Sequence, residues 1–196
     1  MRISDIINED NIEIGAELCS KNEALARVAA LQYDGEPSEQ ATKLLCDILR
    51  SEAAANSAIS CRIAIPVISD SKADKVRISA LTLRNGIEYG APDIRNVKLI
   101  FLITGKDYIG DCLYAKTRLM RLLMDSGFSA RLCSASGAEE FLKLIKERED
   151  FRFSRDSGKE SYDCSRFIIR PEAKERKYHL LLRKLKGALK HHKHKH

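Results

Sequence analysis

Histidine is the side chain best suited to nucleophilic and proton-transfer chemistry near neutral pH, and it is confined to one end of this chain. All five histidines lie in the last 18 residues, at positions 179, 191, 192, 194 and 196, and residues 1–178 contain none. A Ser/His/Asp arrangement therefore has no base within the first 178 residues. In the terminal segment 191–196, lysines between the histidines oppose cation binding, so we predict neither a metal site nor a cofactor.

Cysteine is the second side chain that could act as a nucleophile or a metal ligand. The six cysteines are widely separated, at positions 19, 46, 61, 112, 133 and 164. They form no CxxC pair, which argues against a zinc site and against a small disulfide framework. We therefore expect reduced thiols, as is usual for cytosolic proteins.

The charge distribution divides the 196 residues into a nearly neutral body and a basic tail. Residues 1–150 carry 20 Lys+Arg and 23 Asp+Glu, whereas residues 151–196 carry 14 and 5. We predict one domain over 1–150, a polar linker over 151–170, and a basic amphipathic helix with a His/Lys-rich end over 171–196. The chain shows no signal-peptide pattern and no apolar run of the roughly 18 residues that span a bilayer, so we expect a cytoplasmic protein.

Helical and strand patterns alternate along the body. Ser20 and Ser38 are suited to cap two helices, and Ser136 with Glu139 reads as a capping box for another. Strand patterns occupy 12–14, 63–65, 76–83 and 97–103, the last with the continuous apolar character of a strand buried on both faces. Asn85-Gly86 indicates a tight turn. This alternation predicts an α/β fold with a sheet between helices, followed by the basic C-terminal helix.

Two short segments carry a family resemblance. Cys61-Arg62-Ile63-Ala64-Ile65-Pro66-Val67 resembles the G-I-A-I-P-H segment of the fructose/mannitol-type IIA domains (EIIA type 2) of the bacterial phosphotransferase system. Ile87-Glu88-Tyr89-Gly90-Ala91-Pro92-Asp93 and the strand after it are similar to that family's G-x-x-W/F-G-A-P-D turn. The resemblance covers residues 1 to about 150 and implies that family's fold, with a mixed central sheet.

The resemblance also implies a phosphoryl acceptor that this chain lacks. Such domains accept a phosphoryl group on the histidine after I-A-I-P, and related nitrogen-regulatory members use this phosphorylation as a signal. Here that position is Val67, and the position of a second family histidine is Cys112. Ser60 and Arg62 replace glycines that allow close backbone approach to a phosphate. Arg50 lies near the place of a phosphate-holding arginine, but one residue further from the motif.

These departures predict a regulatory or protein-binding module that is not phosphorylated in the usual way. Its partner would be a regulatory protein or the phosphocarrier protein. An active phosphocarrier in sugar uptake is the first alternative, with Cys112 or Cys61 as acceptor, although an unassisted thiol is more often a small buried apolar group.

The tail leaves a second alternative open. The basic helix 171–196 would bind an anionic surface, either nucleic acid or membrane lipid. Otherwise its leucine stripe packs on the domain or across a homodimer.

Overall fold

The computed structural model describes residues 1–59, 62–70, 73–91 and 96–156, with side chains described as far as residue 151. Its helices are α1 (Lys21–Ala30), α2 (Glu39–Ala54), α3 (Leu113–Leu123), α4 (Ser126–Cys133) and α5 (Ala138–Asp156). Its strands are β1 (Ile7–Ala16), β2 (Ala58–Ile59), β3 (Ile63–Ala64), β4 (Val67–Ser69), β5 (Arg77–Ile87) and β6 (Val97–Gly105). A 3₁₀ turn at Ile3–Asp5 precedes β1, and a π-helix at Tyr108–Cys112 leads into α3.

Serine side chains cap the N-termini of α1 and α2 by accepting hydrogen bonds from free backbone N–H groups. Ser20 Oγ accepts from the backbone N of Glu23 at 3.2 Å, and Ser38 Oγ accepts from that of Ala41 at 3.1 Å. The capping box predicted for Ser136 uses a different partner. Glu140, not Glu139, accepts from the backbone N and the hydroxyl of Ser136, at 2.7 and 2.6 Å. The reason is that α5 begins at Ala138, which places Ser136 one residue further out than the box requires.

The six strands of the described residues form one mixed sheet, in the order β1-β5-β6-β3-β2, with β4 also paired to β6. Strand β6 is central. It runs antiparallel to β5 and parallel to both β3 and β4. Because β3 and β4 follow one another along the same neighbour, the Ile65-Pro66 segment between them is held against the middle of β6. The carbonyl of Pro66 accepts from the backbone N of Ile103 at 3.0 Å.

Asn85-Gly86 does not form the predicted tight turn. Both residues lie inside β5, which continues to Ile87, and the register of β5 against β6 shifts between Thr82 and Ile87. A Cβ atom at Gly86 would lie only 2.7 Å from the carbonyl oxygen of Asn96. The glycine therefore permits close approach of two strands at an irregular ladder, which is a common role of strand glycine.

Apolar side chains cover both faces of the sheet. One cluster joins the sheet to α3, α4 and α5, and includes Phe101, Leu119 and Phe141. The other joins the sheet to α1 and α2, and includes Leu25 and Ile48. Each fully buried side chain of this size contributes about 1.5–3 kcal/mol of transfer free energy. The α/β prediction, with a sheet between helices, is thus confirmed.

Residues Met1–Arg155 form one compact unit, and α5 continues past residue 150. The basic helix and the end of the chain, 171–196, lie outside the described residues. Among the described residues, no helix is both long and apolar enough to cross a membrane.

Candidate functional site

Val67, the residue after the Ile-Ala-Ile-Pro segment, begins β4. It pairs in parallel with Ile103, and its exposed fraction is only 7%. Its side chain belongs to the apolar cluster beneath α3. A valine here has no lone pair, so this position contributes packing and no chemistry.

Cys112 lies in the same apolar cluster as Val67 and is fully buried. The π-helix brings it there. Its backbone N donates to the carbonyl of Asp107 at 3.1 Å, and the Asp107 side chain accepts from the backbone N of Gly110 at 2.8 Å. A Cβ atom at Gly105 would approach Cys112 Sγ to 2.7 Å, so the glycine at the end of β6 provides the space that the thiol occupies.

The surroundings of Cys112 disfavour the thiolate. Burial raises the pKa of its thiol to about 11, and the negative charges of Asp111 and Asp107 act in the same direction. The neutral thiol therefore predominates at pH 7. Because the thiolate is the reactive form, Cys112 is a poor nucleophile in this conformation.

The basic residues singled out in the sequence, Arg50 and Arg62, are both exposed, whereas Val67 is buried. Arg50 lies on the exposed surface of α2 and forms an ion pair of 2.8 Å with Asp47, one turn earlier. Arg62 is exposed and has a left-handed backbone, with φ of 61°. That conformation is natural for glycine and costs about 1–2 kcal/mol for other residues. Ser60 and Cys61 lie outside the described residues.

A group of buried and half-buried polar side chains, here called the Glu52 cluster, consists of Lys21, Glu52, Ser57 and Tyr89. The ammonium of Lys21 lies 2.8 Å from Glu52 Oε2. The Ser57 hydroxyl donates a short hydrogen bond to Glu52 Oε1, and the Tyr89 hydroxyl donates to the same oxygen at 3.3 Å. Lys21 also lies over the Tyr89 ring, 4.3 Å from its centroid.

The Glu52 cluster joins the two sequence motifs. Tyr89 belongs to the Tyr-Gly-Ala-Pro segment, and its carbonyl accepts from the Asn56 amide at 3.0 Å. The carbonyl of Ser57 accepts from the backbone N of Ile65 at 3.0 Å, so Ser57 lies beside the Ile-Ala-Ile-Pro segment. Burial raises the pKa of Tyr89 well above its ordinary value, although its hydrogen bond with Ser57 opposes the shift.

A second lysine lies within electrostatic range of Glu52. Burial lowers the pKa of Lys116, on α3, and the negative charge of Glu52 opposes that effect. Lys116 is one helical turn after Cys112. The carboxylate on α2 and the ammonium on α3 therefore interact although they belong to separate parts of the chain.

Sequence reasoning missed the Glu52 cluster, although one signal for it was present. The buried positions of α2 are Ala41, Leu44, Ile48 and Glu52, so a carboxylate continues an apolar stripe at helical spacing. A charged residue in such a position is rarely left without a partner. Its partners come from distant segments, which no local pattern identifies.

Comparison with known families identifies the chain. Residues 5–148 match the model of the phosphoenolpyruvate-dependent sugar phosphotransferase system EIIA 2 family. The chain belongs to this family. The match spans the body of the chain, and it confirms the resemblance carried by the Ile-Ala-Ile-Pro and Tyr-Gly-Ala-Pro segments.

Solved structures of IIA proteins share the fold. The nitrogen regulatory protein IIA-Ntr from Neisseria meningitidis is 19% identical, with a TM-score of 0.65, and the match covers 73% of this chain and 98% of that one. The mannitol IIA of Escherichia coli is 20% identical, with a TM-score of 0.60 and coverage of 70% and 97%. A complex of that IIA with phosphorylated IIB, also from Escherichia coli, matches at 19% identity and a TM-score of 0.60, covering 72% and 99%.

Proposed function

We propose that this EIIA-type protein is a regulatory or protein-binding module that carries no phosphohistidine. The observation that supports this most strongly is the side chain after Ile-Ala-Ile-Pro, which is the buried Val67 paired to β6. With no histidine before position 179, the domain offers no imidazole to a phosphoryl donor. The intact fold would then keep the shape of an unphosphorylated IIA domain.

The state of Cys112 supports this function over a cysteine-based phosphocarrier. An acceptor thiol must ionise and meet its donor, whereas Cys112 is buried and its pKa is raised to about 11. The other candidate thiol, Cys61, lies outside the described residues. A carrier role in sugar uptake would therefore need either Cys61 or a rearrangement that exposes Cys112.

Exposed apolar side chains next to Cys112 support a protein-binding role. Tyr108, Ile109 and Tyr114 are 42%, 79% and 48% exposed, and exposed apolar side chains that form a patch often mark a protein–protein interaction site. A regulatory protein or the phosphocarrier protein is the partner we propose for this face. The IIA of Escherichia coli, seen in complex with phosphorylated IIB, shows that a relative of this fold binds a protein partner.

The test is phosphorylation in vitro. The full-length protein is incubated with carrier protein, charged from labelled phosphoenolpyruvate, beside a histidine-bearing IIA domain as the positive control. We expect acid-labile label on the control and none on residues 1–150 of this protein. Acid-labile label in that region would overturn the proposal, and label mapped to Cys112 or Cys61 would establish the cysteine-based alternative.

The charge of the tail favours a second candidate function, binding to nucleic acid or to a membrane surface. Residues 151–196 carry 14 basic and 5 acidic residues. Association through these residues should weaken steeply with salt, because counterions are released when basic side chains bind phosphates. Deleting 171–196 should abolish such an association. If the deletion changes only stability or dimerisation, the tail is structural.

A further inference from the structure

The Glu52 cluster has the arrangement of an activated nucleophile. Such sites hold a nucleophile within hydrogen-bond reach of a base, which is itself oriented by a third group. Here the Ser57 hydroxyl donates to Glu52 Oε1, and Lys21 lies 2.8 Å from Glu52 Oε2. The Tyr89 hydroxyl lies 3.3 Å from both Glu52 Oε1 and Ser57 Oγ, and thereby fixes the serine and the carboxylate relative to each other.

Ser57 lies beside the Ile-Ala-Ile-Pro segment, which precedes Val67 at the position of the family's acceptor histidine. This position suits a modification of Ser57. Its backbone pairs with Ile65, two residues before Val67. The hydroxyl is on a half-buried residue, whereas the carboxylate of Glu52 is only 4% exposed. A donor that approaches the Ile-Ala-Ile-Pro segment would therefore meet the serine before the carboxylate.

We infer that Ser57 accepts a phosphoryl group from a protein-bound phosphohistidine, with Glu52 as the general base. This inference rests on the proposed function, because it makes a serine phosphate the regulatory mark of a domain without a phosphohistidine. A phosphoramidate has a higher phosphoryl-transfer potential than a phosphate ester, so transfer from phosphohistidine to a serine hydroxyl is thermodynamically favourable. The resulting phosphate ester is a stable product and does not readily pass the group onward.

The step balances without any further reactant. A lone pair of Ser57 Oγ forms the new P–O bond. The P–N bond of the donor breaks, and its electron pair stays on the imidazole nitrogen. The hydroxyl proton moves to Glu52, and the released imidazole takes up one proton from solvent as Glu52 returns its own. General bases of this kind accelerate such steps by about 10²–10⁴-fold.

The charges around Ser57 favour the product. The ammonium of Lys21 lies 2.8 Å from Glu52 Oε2, so a positive charge contacts the carboxylate that accepts from Ser57. A phosphate on Ser57 would repel Glu52 but would attract the ammonium of Lys21, which contacts the same carboxylate. Charge-assisted hydrogen bonds between ammonium and phosphate are about twice as strong as neutral ones.

The experiment uses the full chain and carrier protein charged from phosphoenolpyruvate, with peptide mass spectrometry as the readout. We expect an acid-stable phosphate on the peptide that contains Ser57. Ser57→Ala should lose it, and Ser57→Thr should carry phosphothreonine at the same position. Ser69→Ala is the matched control, since this exposed serine lies on β4 only two residues after Val67, and it should keep the label.

Glu52→Gln tests the role of Glu52 as general base separately, because it keeps the Ser57 hydroxyl. We expect it to lower the rate of Ser57 phosphorylation roughly 100-fold. The inference is overturned if Ser57 stays unmodified under conditions that phosphorylate a histidine-bearing IIA domain. It is equally overturned if Ser57→Ala or Glu52→Gln is labelled at the wild-type rate. Thermal unfolding of each variant establishes that it is folded. Acid-labile label within residues 1–150 would instead contradict the proposed function, so the two failures are distinguishable.

Discussion

Two buried glutamates, Glu52 and Glu149, satisfy their carboxylates in different ways. Glu149 accepts from the backbone N of Ile3 at 2.9 Å and of Ser4 at 3.1 Å, from the Ser4 hydroxyl at 2.7 Å, and from Arg118 at 3.1 Å. It thereby caps the N-terminal 3₁₀ turn with a side chain from α5. Glu52 contacts one backbone N, that of Ser57 at 3.3 Å, and otherwise relies on side chains.

The difference separates a structural carboxylate from one suited to chemistry. The partners of Glu149 include two backbone donors at a helix start, which have no partner within the turn. Removing the carboxylate leaves them unsatisfied. The partners of Glu52 include a hydroxyl that can exchange its proton and an ammonium that can reach water. We therefore expect Glu149 to govern stability and Glu52 to govern reactivity.

The largest expected effect is that of Glu149→Ala. The change removes the buried acceptor of two backbone N–H groups and the carboxylate that Arg118 contacts, and breaking a buried pair in this way costs about 3–5 kcal/mol. The free energy of unfolding, measured with urea, should fall by that amount. Glu147→Ala is the control, since Glu147 is exposed on the same helix and should change stability by less than about 0.5 kcal/mol. A loss below about 1 kcal/mol for Glu149→Ala would contradict the assignment.

Glu52→Gln should cost less, about 1–3 kcal/mol. The amide oxygen can still accept from Ser57 and Tyr89, so the main loss is the ion pair with Lys21, whose side chain is 23% exposed. A double-mutant cycle with Lys21→Met should give a coupling of about 0.5–3 kcal/mol. Additive effects of the two changes would mean that the pair is not coupled and that Lys21 does not orient the carboxylate.

Local patterns predict much of the body of this fold. Ser20 and Ser38 begin helices as expected, and the apolar run from Val97 to Ile103 forms the central strand. Asn85-Gly86 shows the limit of such patterns. Its turn signal is overridden by pairing between β5 and β6, where Gly86 is needed for the close approach of Asn96.

The candidate site was only partly predictable. The motifs single out Val67 and Cys112, and the structure places both in one apolar cluster. The Glu52 cluster depends on contacts between residues more than 30 positions apart, such as Lys21 with Glu52 and Glu52 with Tyr89. Helical spacing reveals that Glu52 is buried, but only the tertiary fold reveals its partners.

The hydrogen bonds that distinguish Glu149 from Glu52 also predict that the free energy of unfolding depends on pH. Burial alone would raise the pKa of Glu149, but hydrogen bonds from Ser4, the backbone N of Ile3 and Arg118 outweigh it and hold the pKa below its ordinary value of 4.5. Because the folded-state pKa is depressed, the stabilisation is fully present above about pH 4.5 and is lost as pH falls through the lower folded value. Urea unfolding between pH 3 and 6 should show this loss, and Glu149→Gln should flatten it. An unchanged slope in Glu149→Gln would assign the acid sensitivity to other carboxylates.

The smallest expected effect concerns Arg62, the residue directly before β3. Its φ of 61° is a left-handed conformation, whose cost a glycine avoids. The greater freedom of glycine in the unfolded chain offsets part of that gain, so Arg62→Gly should raise the free energy of unfolding by only about 0.5–1 kcal/mol. Arg84→Gly is the matched control, since this exposed arginine lies within β5 and glycine weakens strand interiors. If Arg62→Gly is destabilised instead, the contacts of the arginine side chain stabilise the fold by more than the strained backbone conformation costs.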